Sequence, residues 1–296
     1  MKKLFISIIF LGFVYTLIGQ DRFSKVQITI VEITPQLFML QGSGGNIGIF
    51  TGEDATIMID DQYAPLFWKL KTAIRRIADH KVRYVINTHW HGDHTGGNAS
   101  FAKDGAIIFA HENVRKRLST DQFNKAFNRT TKATPKDAWP VVTFTSDMKL
   151  HINGEDIGII HIEHAHTDGD AFVYFSNANV IHMGDTFFNK RFPYIDLGSG
   201  GSVAGLIKAV EKALMIVDEE TKIIPGHGEL ASKSDLKMYH EVVNTVYNEV
   251  KEAFESGKSI EEIKAMGITQ KHKGWGSGFI SDERFIDIIW TDLDRN

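Results

Sequence analysis

Short apolar blocks, each closed by polar residues or glycine, run along the first half of the chain. "VQITIVEI" (26–33), "LFML" (37–40), "NIGIF" (46–50) and "ATIMID" (55–60) are rich in the β-branched and aromatic residues of strands. "GSGG" separates the second block from the third as a turn. The period changes at Pro65. In "PLFWKLKTAIRRIADH" (65–80) the apolar residues Leu66, Phe67, Leu70, Ile74 and Ile77 fall at helical spacing, with a proline in the first turn. "RYVIN" (83–87) and "AIIFA" (106–110) predict buried strands, and "HENVRKRL" (111–118) predicts the helix after them. Strand and helix therefore alternate, as in a layered α/β fold.

Residues 129–140, "RTTKATPKDAWP", are the most loop-like internal stretch. Strands return in "MKLHI" (148–152), "IGIIHIEH" (157–164), "AFVYFS" (171–176) and "NVIHM" (179–183). A helix over 203–217 precedes the strand "KIIP" (222–225), and helices are predicted over 235–255, 260–265 and 282–293. The chain thus passes twice from strands into strand–helix alternation, with no sequence repeat. Two sheet-plus-helix layers packed face to face are expected.

The N-terminus reads differently. Lys2 and Lys3 precede an apolar run over 4–18 and the small residue Gly19, the pattern of an export signal cut after residue 19. The run falls short of the ~20 residues a spanning helix needs. The expectation is a signal at 1–19, one domain over 20–296, a periplasmic or secreted location, and no membrane attachment after cleavage. A formal charge of −4 argues against a nucleic-acid surface, and the expected partner is a small-molecule substrate. The sequence has no cysteine, so disulfides, lipidation after the signal and thiol nucleophiles are excluded. Any metal must be held by His, Asp and Glu, which suits zinc or another first-row ion.

Of 13 histidines, those at strand ends beside glycine or other ligand types stand out. "NTHWHGDHTGG" (87–97) delivers His89, His91, Asp93 and His94 where a strand runs out, with Gly92 expected to ease a tight turn. "EHAHTDGD" (163–170) offers His166, with His164 as a rival on the same strand face by alternation; proximity to the turn favours His166. "IHMGDTFFN" offers Asp185, a carboxylate able to bridge two ions, and "IIPGHGEL" offers His227 between two glycines. One zinc takes about four ligands. Seven ligands spread over four strand ends are what a two-metal hydrolytic centre with one shared carboxylate needs. His111 is expected as a cap or supporting group, and His182 as a core residue near the site. Trp139, Phe192 and Tyr194 are candidates to line a pocket.

In this order, "THWHGDHTGGN", "HTDGD", "MGD" and "PGHG" resemble the signature series of the metallo-β-lactamase superfamily, over roughly residues 26–230. The resemblance implies a four-layer αβ/βα sandwich with metals at one edge between the sheets. It implies His89, His91 and His166 on a first zinc, Asp93, His94 and His227 on a second, and Asp185 bridging the two Zn2+. Asp60 matches a position that buttresses the ligand loop. Two departures separate the chain from the best-known broad-spectrum β-lactamases: Asp185 stands where they carry cysteine, and Phe188 where they carry a carboxylate-binding lysine, the nearest here being Lys190. A bridging aspartate resembles the lactonase, thioesterase and phosphodiesterase branches.

The expected reaction is hydrolysis of a carbonyl substrate (lactone, ester, thioester or β-lactam-type amide) by a metal-bridging hydroxide, with Asp93 orienting it or relaying its proton. The alternatives are a two-metal phosphodiesterase or nuclease, a mononuclear iron oxygenase of thiols or persulfides, and a non-enzymatic metal-binding protein.

Overall fold

Alternation within the strands sorts apolar side chains into three separate layers of core. The computed structural model describes residues 22–124 and 128–295; the export segment expected at 1–19 lies outside the described residues. One mixed sheet contains seven strands: β1 (Thr29–Thr34), β2 (Leu37–Gln41), β3 (Ile47–Phe50), β4 (Thr56–Ile59), β5 (Val82–Ile86), β6 (Ile107–His111) and β9 (Val142–Phe144), in the order β1-β2-β3-β4-β5-β6-β9. β1 to β4 pair antiparallel, and β4, β5, β6 and β9 run parallel. A second sheet contains β10 (Met148–Ile152), β11 (Glu155–Ile162), β12 (Asp170–Phe175), β13 (Val180–His182) and β14 (Lys222–Ile224) in chain order, with only β13 and β14 parallel. β7 (Gln122–Asn124) and β8 (Arg129–Thr131) form a separate hairpin.

The sheets meet through one shared core. Leu37, Met39, Ile57 and Ile59 from the first sheet pack with Ile157, Ile159, Val173 and Phe175 from the second. Their neighbours in sequence face the other way. Phe38, Leu40 and Met58 pack outward against Leu70 and Ile74 of the helix Phe67–Ile74 and against Phe101 of Asn98–Lys103. On the far side, Phe172 and Ile181 pack with the helices Val203–Ile216, Lys233–Glu255 and Asp282–Asp294. Helix, sheet, sheet and helix give the four-layer α/β sandwich expected from the sequence. Among the described residues no helix is long and apolar enough to cross a membrane.

Several boundaries differ from the pattern-based reading. The helix begun at Pro65 is a 3-10 turn, Ala64–Leu66, followed by an α-helix that stops at Ile74 rather than at residue 80. Beyond Ile74 the spacing becomes mixed, with three-residue bonds from Arg76 N to Ala73 O and Ile77 N to Ile74 O beside a four-residue bond from Ala78 N to Ile74 O. The stretch 129–140 is not all loop: it contains β8 and the 3-10 turn Lys136–Ala138.

Candidate metal centre

The ends of five strands converge at one edge of the sandwich. β4 ends at Ile59 and presents Asp60; β5 ends at Ile86 and leads through Asn87 and Thr88 to His89. A single helical turn, Gly92–Thr95, then carries Asp93 and His94 onward from His91. His166 follows β11, Asp185 sits in the 3-10 turn Gly184–Thr186 after β13, and His227 follows β14. Carboxyl ends of strands in α/β sheets are the usual place for ligand sites.

These side chains form two groups that meet at one carboxylate. In the first, His91 Nδ1 lies 3.1 Å from His89 Nε2 and 2.8 Å from His166 Nε2. Asp185 Oδ2 completes the group, 3.8 Å from His89 Nε2 and 3.6 Å from His166 Nε2. In the second, Asp185 Oδ1 lies 3.0 Å from His94 Nε2 and 3.4 Å from His227 Nε2. Asp93 Oδ2 completes that group, 3.4 Å from His227 Nε2 and 3.8 Å from His94 Nε2. Ligands about 2.1 Å from a tetrahedral centre are about 3.4 Å apart, the mean of these edges. Each group is thus sized for one ion.

The outer hydrogen bonds fix which nitrogen of each ring faces the cluster. Tyr194 O can only accept, so His166 Nδ1 donates to it (2.7 Å) and Nε2 is left bare. His91 Nε2 donates to Asp196 Oδ2 (3.0 Å), which turns Nδ1 toward the other two rings. Thr88 Oγ1 gives its one proton to Asp60 Oδ2 (2.7 Å), so His89 Nδ1 donates to Thr88 Oγ1 and Nε2 is bare. Three ring nitrogens therefore converge on one point, an arrangement suited to a bound cation. In the second group His94 Nδ1 donates to Asp60 Oδ2 (2.7 Å). Buried His94 Nε2 and Asp185 Oδ1 face each other as an ion pair at 3.0 Å, and neither atom makes a well-aligned hydrogen bond. Partners that fix ring orientation behind a ligand are typical of metal sites.

Electrostatics divide the groups in the same way. Burial holds His89 well below its ordinary pKa and takes His166 down to about 4, so both are neutral ligands. Burial also opposes charge on His94 and His227, but Asp185, with Asp93, overcomes it; His94 rises well above its ordinary value and His227 rises to about 9. Burial would raise Asp93 and Asp185, yet His94 and His227 pull Asp93 to about 2 and Asp185 well below the carboxylate range. Without metal, the second group is held by protons that a metal must displace. A raised histidine stabilises the fold fully below its unfolded pKa of about 6.5 and loses that contribution as pH rises through the folded value. The metal-free chain should therefore melt progressively lower between about pH 6.5 and 9. A melting temperature that stays flat or rises across that window in chelator would contradict the pairing.

The structure brings together all seven side chains singled out by sequence, with Asp60 directly behind them. It separates His164 from His166: β11 has already ended at Ile162, and His164 turns away at φ 50° to bond Gly200 O. Strand alternation does not apply there. Gly92 is not needed for space, since nothing lies within 4 Å of a Cβ built on it. Of the aromatic candidates, Tyr194 reaches the site, with its ring centroid 5.8 Å from those of His91 and His166. Phe192 is core, stacked on Phe285, and Trp139 packs beside Trp90 and donates to Thr134 O. His111 caps its helix at Asn113 N and stacks on His161, while His182 is buried and bonds Asn46 O. Sequence reasoning missed Asp196. An aspartate in "PYIDLGSGG" looks like any turn residue, and its partner His91 is 105 positions away.

The family model of the metallo-β-lactamase superfamily matches residues 40–227, from β2 to the last ligand. The chain belongs to the metallo-β-lactamase superfamily. Among curated members, it is 27% identical over 180 residues to a hydroxyacylglutathione hydrolase of Pelagibacter ubique, covering 59% of this chain and 64% of that one. It is 29% identical over 164 residues to a hydroxyacylglutathione hydrolase of a Polaromonas species, covering 55% of each. The chain thus spans under two thirds of either relative. Solved structures agree on the superfamily fold. A metallo-β-lactamase from Pontibacter korlensis superposes with a TM-score of 0.58 at 18% identity, over 74% of this chain and 99% of its own. The sec-alkylsulfatase Pisa1 from a Pseudomonas species gives 0.65 at 14% identity, over 89% and 50%. A His/Asp cluster in this fold implies bound metal ions.

Proposed function

We propose that the chain is a dinuclear zinc hydrolase of carbonyl substrates: a lactone, ester, thioester or β-lactam-type amide. One observation carries this reading. The two oxygens of Asp185 face different ligand groups, Oδ2 with His89, His91 and His166, and Oδ1 with His94, His227 and Asp93. The all-His/Asp donor set suits zinc. When bound, zinc supplies Lewis acidity and a water activated near neutral pH.

The chain's own groups do the rest. Asp93, about a quarter exposed at its side chain, stands on the open side of the second group and stays ionised, so it can orient the attacking water by accepting its hydrogen bond. Phe188 stacks on the His227 ring at 5.1 Å and gives the site an apolar wall. Lys190 points elsewhere, its Nζ 3.8 Å from Asp235 on the outer helix. Neither residue offers the carboxylate-binding cation of the best-known β-lactamases, which favours esters, lactones or thioesters over β-lactams. The similarity to hydroxyacylglutathione hydrolases supports thioesters in particular. The export pattern at 1–19 supports action outside the cytoplasm.

The purified chain should bind two zinc ions, lose activity in chelator and recover it with zinc. A panel of a lactone, a thioester, a chromogenic β-lactam, a phosphodiester and a sulfate ester should show fastest turnover on a carbonyl substrate. Rapid phosphodiester or sulfate-ester cleavage with inert carbonyl substrates would replace this reading with the rival two-metal chemistry.

A further inference from the structure

His91 and His166 of the first ligand group take their outer support from a segment with no regular structure. Tyr194 O accepts from His166 Nδ1, Asp196 Oδ2 accepts from His91 Nε2, and Asp196 N donates to His166 O (2.9 Å). This segment runs into a tight turn. Asp196 O accepts from Ser199 N (2.9 Å) and Gly201 N (3.0 Å), and Gly200 sits at φ 79°. Ser202 N then donates to Ala165 O (2.9 Å), beside His166.

The far side of this turn is gripped by the end of the chain. Arg295, which ends the helix Asp282–Asp294, donates from Nη1 to Leu197 O (2.7 Å) and from Nη2 to Gly201 O. The same guanidinium is held by Asp292, Nε to Oδ1 at 2.9 Å. Asp292 is 3% exposed, and its other oxygen accepts from Val203 N (2.7 Å), the first residue of the next helix. One planar cation thus spans both ends of the turn, a geometry that lysine cannot reproduce.

We propose that Arg295, seated by Asp292, is a positioning clamp for the first ligand group: it fixes the turn Leu197–Gly201 so that Asp196 and Tyr194 aim His91 and His166. The second group stands outside this clamp, because His94 is held by Asp60 at the end of β4. The consequence for metal rests on the two-group reading above.

The test compares the full chain with Arg295→Ala and Arg295→Lys. In the metal-free protein, hydrogen exchange at the amides of Asp196, Ser199 and Gly201 should speed up about tenfold or more in both variants, while Asp61 N, bonded to His94 O, keeps its rate. Stepwise cobalt titration should show one affinity reduced roughly tenfold and the other unchanged. Unchanged exchange at the turn overturns the clamp, as does an equal loss at both metals or at neither. Arg295→Lys keeps the charge and guards against a variant that fails to fold. If the unaltered chain binds fewer than two metals, the reading of the site fails separately, and exchange still judges the clamp.

Discussion

Asp185→Asn should bind about one metal ion instead of two and lose at least a hundredfold in turnover, more than the loss typical of outer-partner changes at metal sites. The substitution keeps shape and volume but replaces one carboxylate oxygen with an NH2. Whichever way the amide turns, one group then receives donor hydrogens where it needs a lone pair. The other keeps only a neutral carbonyl oxygen. Asp185 is also a principal reason that His94 and His227 hold protons in the metal-free state. The variant should therefore flatten the decline in melting temperature between about pH 6.5 and 9. Metal analysis, kinetics and melting of the chelated protein read these three effects separately. Two bound metals with normal turnover in the variant would remove Asp185 from the bridging position.

Gly226→Ala should be nearly as damaging, although it adds only a methyl group. A Cβ at Gly226 would overlap Asp185 Oδ1 and crowd the Gly184 carbonyl, whose carbon and oxygen lie at 2.6 Å. The backbone cannot step aside easily. Gly226 N donates to Gly184 O and Phe187 O, and its carbonyl accepts from Asn46 N at 2.7 Å. Overpacking of this kind costs about 1–3 kcal/mol, and relief by moving Asp185 spoils both ligand groups at once. Gly92→Ala is the matched control, because its Cβ meets open space. If Gly226→Ala keeps full metal content and melts with the control, the packing around Asp185 is looser than the structure shows.

The seven ligands were legible because they lie in loops and turns that follow strands, and glycine or a close run of ligand types marks the place. Four are packed into 89–94, so local sequence alone announced them. The face-to-face sandwich was legible because the chain passes twice from strands into strand–helix alternation, and strands such as β2, β4 and β12, buried on both faces, read as continuous apolar runs. What supports the ligands was harder to read. Asp60 came from family resemblance, not from pattern. Asp196, Asp292 and Arg295 have ordinary local surroundings, and their roles depend on partners roughly a hundred positions away. The choice between His164 and His166 turned on where β11 ends, and boundaries are set by tertiary bonds that periodicity does not contain.

His89, His91, Asp93 and His94 follow a strand of the seven-stranded sheet, whereas His166, Asp185 and His227 follow strands of the five-stranded one. Ions held between them act as a non-covalent rivet joining the two halves of the sandwich. A ligand that binds only the folded chain adds stability as its concentration exceeds its dissociation constant, about 4 kcal/mol at a thousandfold excess. Without cysteine, the chain has no disulfide to take over that task. Metal scarcity would thus act on this protein twice, once on its chemistry and once on its lifetime as a folded molecule.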